Sequence, residues 1–157
     1  MPGVVHFRVD DRLIHGQVTT TWSGVVQPNR ILLANDAVAK DPLLQSLQKV
    51  SAPKGMSVTI LPVLEAAELL AAGKFAEDRV FLLAKSLEDA ALLVRDSPEI
   101  TSVNIGNLGY KPNAKQISTR VFLSPGDQTA LQELLSRGVK VTVQMMPTDR
   151  PTVLTKV

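Results

Sequence analysis

Ile31-Leu32-Leu33-Ala34-Asn35-Asp36 is the stretch that decides the fold. Its four consecutive apolar residues are typical of a strand that is buried on both faces of a parallel sheet. Polar residues follow at once, as at the carboxyl end of such a strand. Similar apolar runs alternate with helix-like runs along the whole chain, and this alternation predicts βαβ units and a mainly parallel sheet.

The other predicted elements follow from the same alternation. We expect the remaining strands over about 4–9, 56–61, 79–84, 100–105 and 139–145, with a weakly alternating added strand over 117–123. We expect helices over about 16–23, 38–50, 62–73, 87–95 and 125–137, and a partly ordered tail after 147. The predicted fold class is therefore α/β: a single three-layer domain over residues 1–157. Its mainly parallel, open sheet of about seven strands is flanked by helices on both faces.

The composition excludes several classes of function. Hydrophobic residues make up 45% of the 157 residues and charged residues 20%, which indicates a globular chain. The absence of cysteine excludes thiolate sites and two histidines are too few for a His-rich metal site, so we expect no metal and no cofactor. The net charge of +2 is scattered, which argues against a nucleic-acid partner. With no apolar stretch near the roughly 20 residues of a membrane span and no signal-peptide pattern, we predict a cytoplasmic protein.

The reactive side chains concentrate in Arg8-Val9-Asp10-Asp11-Arg12-Leu13-Ile14-His15-Gly16-Gln17, between the predicted first strand and first helix. Ligands of open α/β sheets bind outside the carboxyl ends of the strands. A neutral imidazole nitrogen attacks phosphorus without first losing a proton, and a histidine with an ordinary pKa of about 6.5 is largely neutral at cell pH. His15 is therefore the candidate phosphoryl acceptor, whereas His6, within the first strand, is expected to be structural.

The residues around His15 supply what a phosphohistidine site needs. Arg12, three residues earlier, has the guanidinium fork that suits phosphate oxygens. Gly16 and Gln17 open the predicted first helix, where free backbone N–H groups and the helix dipole favour an anion. We therefore expect Arg12 to clamp the phosphoryl group and the two amides to cradle it.

Further candidates lie in the same loop or after other strands. Asp10 or Asp11 is expected to fix the imidazole tautomer by accepting a hydrogen bond from its non-reacting nitrogen, and the sequence leaves open which one does so. Ser86 and Gly106 follow the predicted fourth and fifth strands, and we expect them to be phosphate neighbours. Arg8 fits either a solvated strand edge or a contact with phosphate or a partner.

The stretch from Arg8 to Val18 closely resembles the phosphorylation-site signature of the IIB component of bacterial sugar phosphotransferase systems, in the mannose/fructose/sorbose family. Weaker resemblances cover most of the chain: Trp22, Ser102-Val103-Asn104-Ile105-Gly106 and Met146-Pro147-Thr148-Asp149 match later family segments. This chain has Asn107 where the family often has a second glycine.

The resemblance implies a phosphotransferase. His15 would accept a phosphoryl group on Nδ1 from a phosphohistidine of the IIA protein, with Arg12 as its main charge partner, and pass it to a sugar bound by the membrane components IIC and IID. The chain would then be cytoplasmic, associated peripherally with the membrane through IIC and IID, and a homo-oligomer is compatible with the family. The sequence does not reveal the sugar.

Two alternatives remain open. A regulatory IIB-like protein would be phosphorylated without delivering phosphate to a sugar. A receiver-like signalling domain would be phosphorylated on aspartate, and the paired acids Asp10 and Asp11 fit that class superficially. A receiver also needs an aspartate at the end of its third strand, where this chain has Leu61-Pro62.

Overall fold

A computed structural model describes residues 3–156. Its strands are β1 (Gly3–Val9), β2 (Arg30–Ala34), β3 (Ser57–Leu61), β4 (Arg79–Ala84), β5 (Ser102–Ile105), β6 (Lys115–Ser118), β7 (Val121–Leu123), β8 (Lys140–Val143) and β9 (Thr152–Leu154). Its helices are α1 (Gly16–Val26), α2 (Asp36–Ala39), α3 (Pro42–Ser51), α4 (Val63–Ala71), α5 (Leu87–Val94) and α6 (Pro125–Ser136). Within the described residues no helix is long and apolar enough to cross a bilayer.

The main sheet has the strand order β3-β2-β4-β1-β5-β8-β9. All its neighbouring pairs are parallel except β8 and β9. The chain leaves β1 towards β2 on one side, and its connection from β4 reaches β5 on the other side of β1. The carboxyl end of β1 therefore lies where connections diverge, the position at which open α/β sheets bind ligands.

Helices cover both faces of this sheet, as predicted. On one face, α1 and α2 bury Val18, Trp22 and Val38 against the strands. On the other, α4, α5 and α6 pack onto the alternate strand residues. The runs in β2 and β4 are fully buried because each of their residues faces one of these two helical layers. The three-layer α/β prediction is confirmed.

The prediction of one continuous second helix over 38–50 is wrong. The helix is broken into α2 and α3, because Pro42 has no N–H to continue α2 and because the carboxylate of Asp41 accepts from the amide of Leu43 at 2.9 Å and starts a new helix. None of the apolar residues of α3 is buried. We call this exposed set the α3 apolar surface: Leu43, Leu44, Leu47 and Val50.

Two further predictions need correction. Residues 117–123 do not add one strand to the sheet. The chain reverses at Thr119-Arg120, so β6 and β7 form a separate antiparallel hairpin. The tail supplies the seventh strand instead: β9 pairs antiparallel with β8 and covers what would be a bare strand edge.

Candidate functional site

The loop from Asp10 to His15 joins β1 to α1 and is held firmly by backbone groups. The Asp11 N–H donates to the carbonyl of Asn107 at 2.9 Å, and the Ile14 N–H donates to the side-chain oxygen of Gln48 at 2.8 Å. Leu13 takes a left-handed φ of +60° and is buried. A branched residue with this backbone conformation persists only where surrounding contacts fix it, so the loop is a preformed support for His15.

His15 stands at the N-terminus of α1 with an exposed ring. Its backbone N–H donates to the Thr19 hydroxyl at 3.1 Å, which sets the direction of the helix start. Among residues 3–156 no hydrogen-bond partner is found for the imidazole ring. Gly16 and Gln17 form the first turn, where N–H groups have no acceptor within the helix. A nucleophilic ring nitrogen and helix-terminal donors therefore share one accessible site.

Arg12 is held in this loop by the carboxylate of Asp10. Its Nε donates to Oδ1 at 2.9 Å and its terminal nitrogen to Oδ2 at 2.8 Å, a two-pronged ion pair. The hydrogen bond with Asp10 raises the pKa of Arg12 above its ordinary value. The Arg12 side chain is 29% exposed, so this cation borders solvent near His15.

The carboxylates of Asp10 and Asp11, predicted to orient the ring of His15, have other hydrogen-bond partners within residues 3–156. Both carboxylate oxygens of Asp10 accept hydrogen bonds from Arg12, and Oδ2 also accepts one from Arg8. Asp11 accepts from the Asn107 side chain at 2.9 Å and from the Gly109 N–H at 2.7 Å. Both carboxylates therefore support the loop itself, and the orientation of the His15 ring by one of them stays a prediction.

Comparison with known proteins decides the family. The model of the family described as "PTS system sorbose subfamily IIB component" matches residues 4–157. The chain belongs to this family. The sorbose-specific EIIB component of Klebsiella pneumoniae is 37% identical over 142 residues, which are 90% of this chain and 87% of that protein.

Other relatives agree with this assignment. The N-acetylgalactosamine-specific IIB component 2 of Escherichia coli K12 is 34% identical over 152 residues, 95% of this chain and 94% of the relative. The crystal structure of the IIB domain of the Klebsiella pneumoniae sorbose permease superposes with a TM-score of 0.90 at 34% identity, covering 98% of this chain and 94% of that one. IIB components are phosphotransferases that move a phosphoryl group from IIA to a sugar, so this chain is a phosphotransferase of sugar uptake.

The site of this IIB component contains a residue whose role sequence reasoning missed. Arg8 lies in β1 and is only 1% exposed, which contradicts the solvated-edge alternative. Its guanidinium donates to the Asn104 side chain at 2.7 Å, to the Gln144 carbonyl at 3.1 Å and to Asp10 at 3.2 Å. A cation in a strand that is buried on both faces was the available signal, because such a charge requires internal partners.

Gly106 and Ser86, the predicted phosphate neighbours, have other contacts in the structure. A Cβ on Gly106 would collide with the Arg8 guanidinium, and its N–H donates to the Val9 carbonyl at 2.8 Å, so this glycine makes room for Arg8. The Ser86 hydroxyl accepts from the Asp89 N–H at 3.1 Å and caps α5. It also faces an open cavity of about 440 Å³ that Asp11 borders and His15 does not.

The rings of Trp22 and His6 pack against each other beneath the site, which confirms the predicted structural role of His6. Their rings stack at 4.4 Å between centroids, and the indole N–H of Trp22 donates to the Met145 carbonyl at 2.8 Å. Burial, helped by the charge of Arg8, lowers the pKa of His6 from 6.5 to about 4. The neutral imidazole is therefore the form that the fold requires.

This shift predicts a pH dependence of stability. An unfolded chain binds a proton at His6 below about pH 6.5 while the folded chain does not until about pH 4, so the free energy of unfolding falls as the pH drops through this window. The expected contribution is roughly 3 kcal/mol. Asp89, whose pKa burial raises to about 6, has the opposite effect.

The measurement is urea unfolding of the wild type and His6→Phe between pH 4 and 8. Asp89 contributes equally to both proteins and cancels in the difference. We expect the wild type to lose stability relative to the variant on acidification. A pH-independent difference between the two proteins would contradict a buried neutral imidazole.

Proposed function

We propose that this IIB component carries the phosphoryl group on His15, between a IIA phosphohistidine and a sugar bound by IIC and IID. The observation that carries the proposal is the exposed His15 at the N-terminus of α1, at the end of a loop that also holds Arg12 and the left-handed Leu13. The chain then works peripherally at the cytoplasmic face of the membrane, through IIC and IID. Light scattering of the purified chain tests whether it forms the homo-oligomer that is compatible with the family.

In the first step, an unprotonated ring nitrogen of His15 attacks the phosphorus of the IIA phosphohistidine. A nitrogen–phosphorus bond forms on His15 as the donor's nitrogen–phosphorus bond breaks, and that electron pair returns to the donor imidazole. The proton on the other nitrogen of His15 stays in place. Arg12 and the amides of Gly16 and Gln17 stabilise the negative oxygens, because positioning and charge dominate phosphoryl transfer.

In the second step, a sugar hydroxyl attacks the same phosphorus. The phosphoramidate bond of His15 breaks, its electron pair returns to the ring, and the hydroxyl proton is released. The exposure of His15 supports this scheme, because the ring has to meet two different partners in turn.

The α3 apolar surface supports docking of IIA beside His15. Gln48 of α3 accepts from the Ile14 amide in the loop, so the helix and the reactive ring belong to one continuous surface. Two histidines that share a phosphorus atom bring their proteins into contact over about 800 Å² per partner in an ordinary interface. We propose that Leu43, Leu47 and Val50, which are 67%, 55% and 83% exposed, lie within that contact.

A charge placed on this surface should weaken IIA binding. We expect Leu47→Asp to raise the KM for phosphorylated IIA about tenfold, with kcat and folding stability nearly unchanged, because burying an unpaired carboxylate in the interface is unfavourable. The matched control is Val25→Asp. Val25 is about as exposed as Leu47, but it lies on α1 about 15 Å from His15 along the helix axis. Equal KM values for the two variants would show that α3 is not part of the interface with IIA.

The function is tested by reconstitution. The chain is incubated with labelled phosphoenolpyruvate, the general phosphotransferase proteins and IIA, then with membranes that contain IIC and IID and with sorbose or N-acetylgalactosamine. We expect an alkali-stable label on the chain that passes to a sugar. Label that never leaves the chain would favour the regulatory alternative, and an alkali-labile label would favour an acyl phosphate on aspartate.

A further inference from the structure

The buried part of the site holds two arginines around one carboxylate. Asp10 is 0% exposed, and its Oδ2 lies 3.2 Å from Arg8 and 2.8 Å from Arg12. Its Oδ1 accepts from both the side chain and the backbone N–H of Arg12. The cluster of Arg8, Arg12 and Asp10 therefore carries one positive charge more than is needed to neutralise the carboxylate.

The two arginines differ in how they are held. Arg8 is fixed by Asn104, by the Gln144 carbonyl and by Gly106, whose missing Cβ is the space that the guanidinium fills. Its guanidinium carbon lies 5.7 Å from the Trp22 ring centroid. Arg12 has its side-chain hydrogen bonds with Asp10 and a 3.5 Å contact with the sulfur of Met145, and part of it is exposed.

We propose that Arg8 is a positioning residue: it supplies the permanent counter-charge of Asp10, so that the Arg12 side chain can turn from Asp10 to the phosphoryl group on His15. The inference rests on the proposed function and extends it to a residue that does not touch the reacting atoms. After Arg12 turns, Asp10 still has Arg8 on Oδ2 and the Arg12 backbone N–H on Oδ1. Without Arg8, the same movement leaves a buried carboxylate with one neutral donor.

A charge-pair cycle tests the role of Arg8. We expect Arg8→Met to accept the phosphoryl group at least tenfold more slowly within the IIA complex, with an unchanged KM for IIA, because Arg12 is then retained by Asp10. Arg8→Lys restores part of the rate. The double variant Arg8→Met/Asp10→Asn removes the buried charge together with its counter-charge, so its transfer rate should exceed that of Arg8→Met.

The cycle has a definite opposite outcome. A purely packing role for Arg8 makes the double variant no faster than the single one, and this result, or a wild-type rate for Arg8→Met, overturns the proposal. Wild-type chain that accepts no phosphoryl group at all refutes the proposed function instead, which separates the two failures.

If Arg8→Met does not fold, the wild type decides the question. The Nε–H signals of Arg8 and Arg12 are followed by NMR in the free and the phosphorylated chain. We expect a large shift for Arg12 on phosphorylation and little for Arg8. Equal shifts for both arginines, or no shift for Arg12, contradict the proposal that Arg12 turns to the phosphoryl group while Arg8 stays on Asp10.

Discussion

His15→Ala is expected to take up no phosphoryl group from IIA above background. The substitution removes the nucleophilic nitrogen, and His6, the other histidine, is mostly buried behind Trp22. Stability should change by less than about 0.5 kcal/mol, because the His15 ring is exposed and makes no helix-capping hydrogen bond. Label incorporation from phosphoenolpyruvate and urea unfolding measure the two effects.

The matched control is His6→Phe, which removes the other imidazole and keeps an aromatic ring against Trp22. It should be labelled like the wild type at neutral pH. If His15→Ala retains its label while remaining folded, the acceptor is a different residue.

Asp10→Asn is expected to cost about 3–5 kcal/mol of folding stability, because it leaves the buried cation Arg8 without its carboxylate. The new amide also turns N–H donors towards guanidinium donors, whichever way it is flipped. Arg12 loses its two-pronged partner as well, so the loop beneath His15 loosens and phosphoryl transfer slows.

Urea unfolding at pH 7 measures the stability, and Asp41→Asn is the control. Asp41 caps α3, where asparagine caps equally well, so that change should cost less than about 0.5 kcal/mol. A loss for Asp10→Asn as small as that of Asp41→Asn would show that the Asp10 carboxylate is not the anchor of the loop.

The strands could be predicted because their signal is local. A strand that is covered on both faces needs apolar residues throughout, and 31–34 and 80–84 show this directly. The exposure of the apolar residues of α3 could not be predicted in the same way. Its apolar residues recur with the spacing of a core helix, but this spacing does not say whether another element covers them.

The same distinction between local signals and contacts with distant residues applies to the candidate site. His15 and Arg12 were identifiable because the chemistry of phosphoryl transfer names the side chains that it needs. The network under them was not, because Arg8 meets Asn104 and Gln144 across separations of 96 and 136 residues. No spacing rule connects such positions. In the structure the partners of the two loop aspartates are Arg8, Arg12 and Asn107.

The central claim is that the phosphoryl group travels on His15. The most direct test locates the phosphorus in the wild-type chain: the ¹⁵N-labelled protein is phosphorylated through IIA, and nitrogen–phosphorus coupling is measured by NMR at alkaline pH. We predict a single phosphoryl group on Nδ1 of His15. Phosphorus on His6 or on an aspartate would contradict the account.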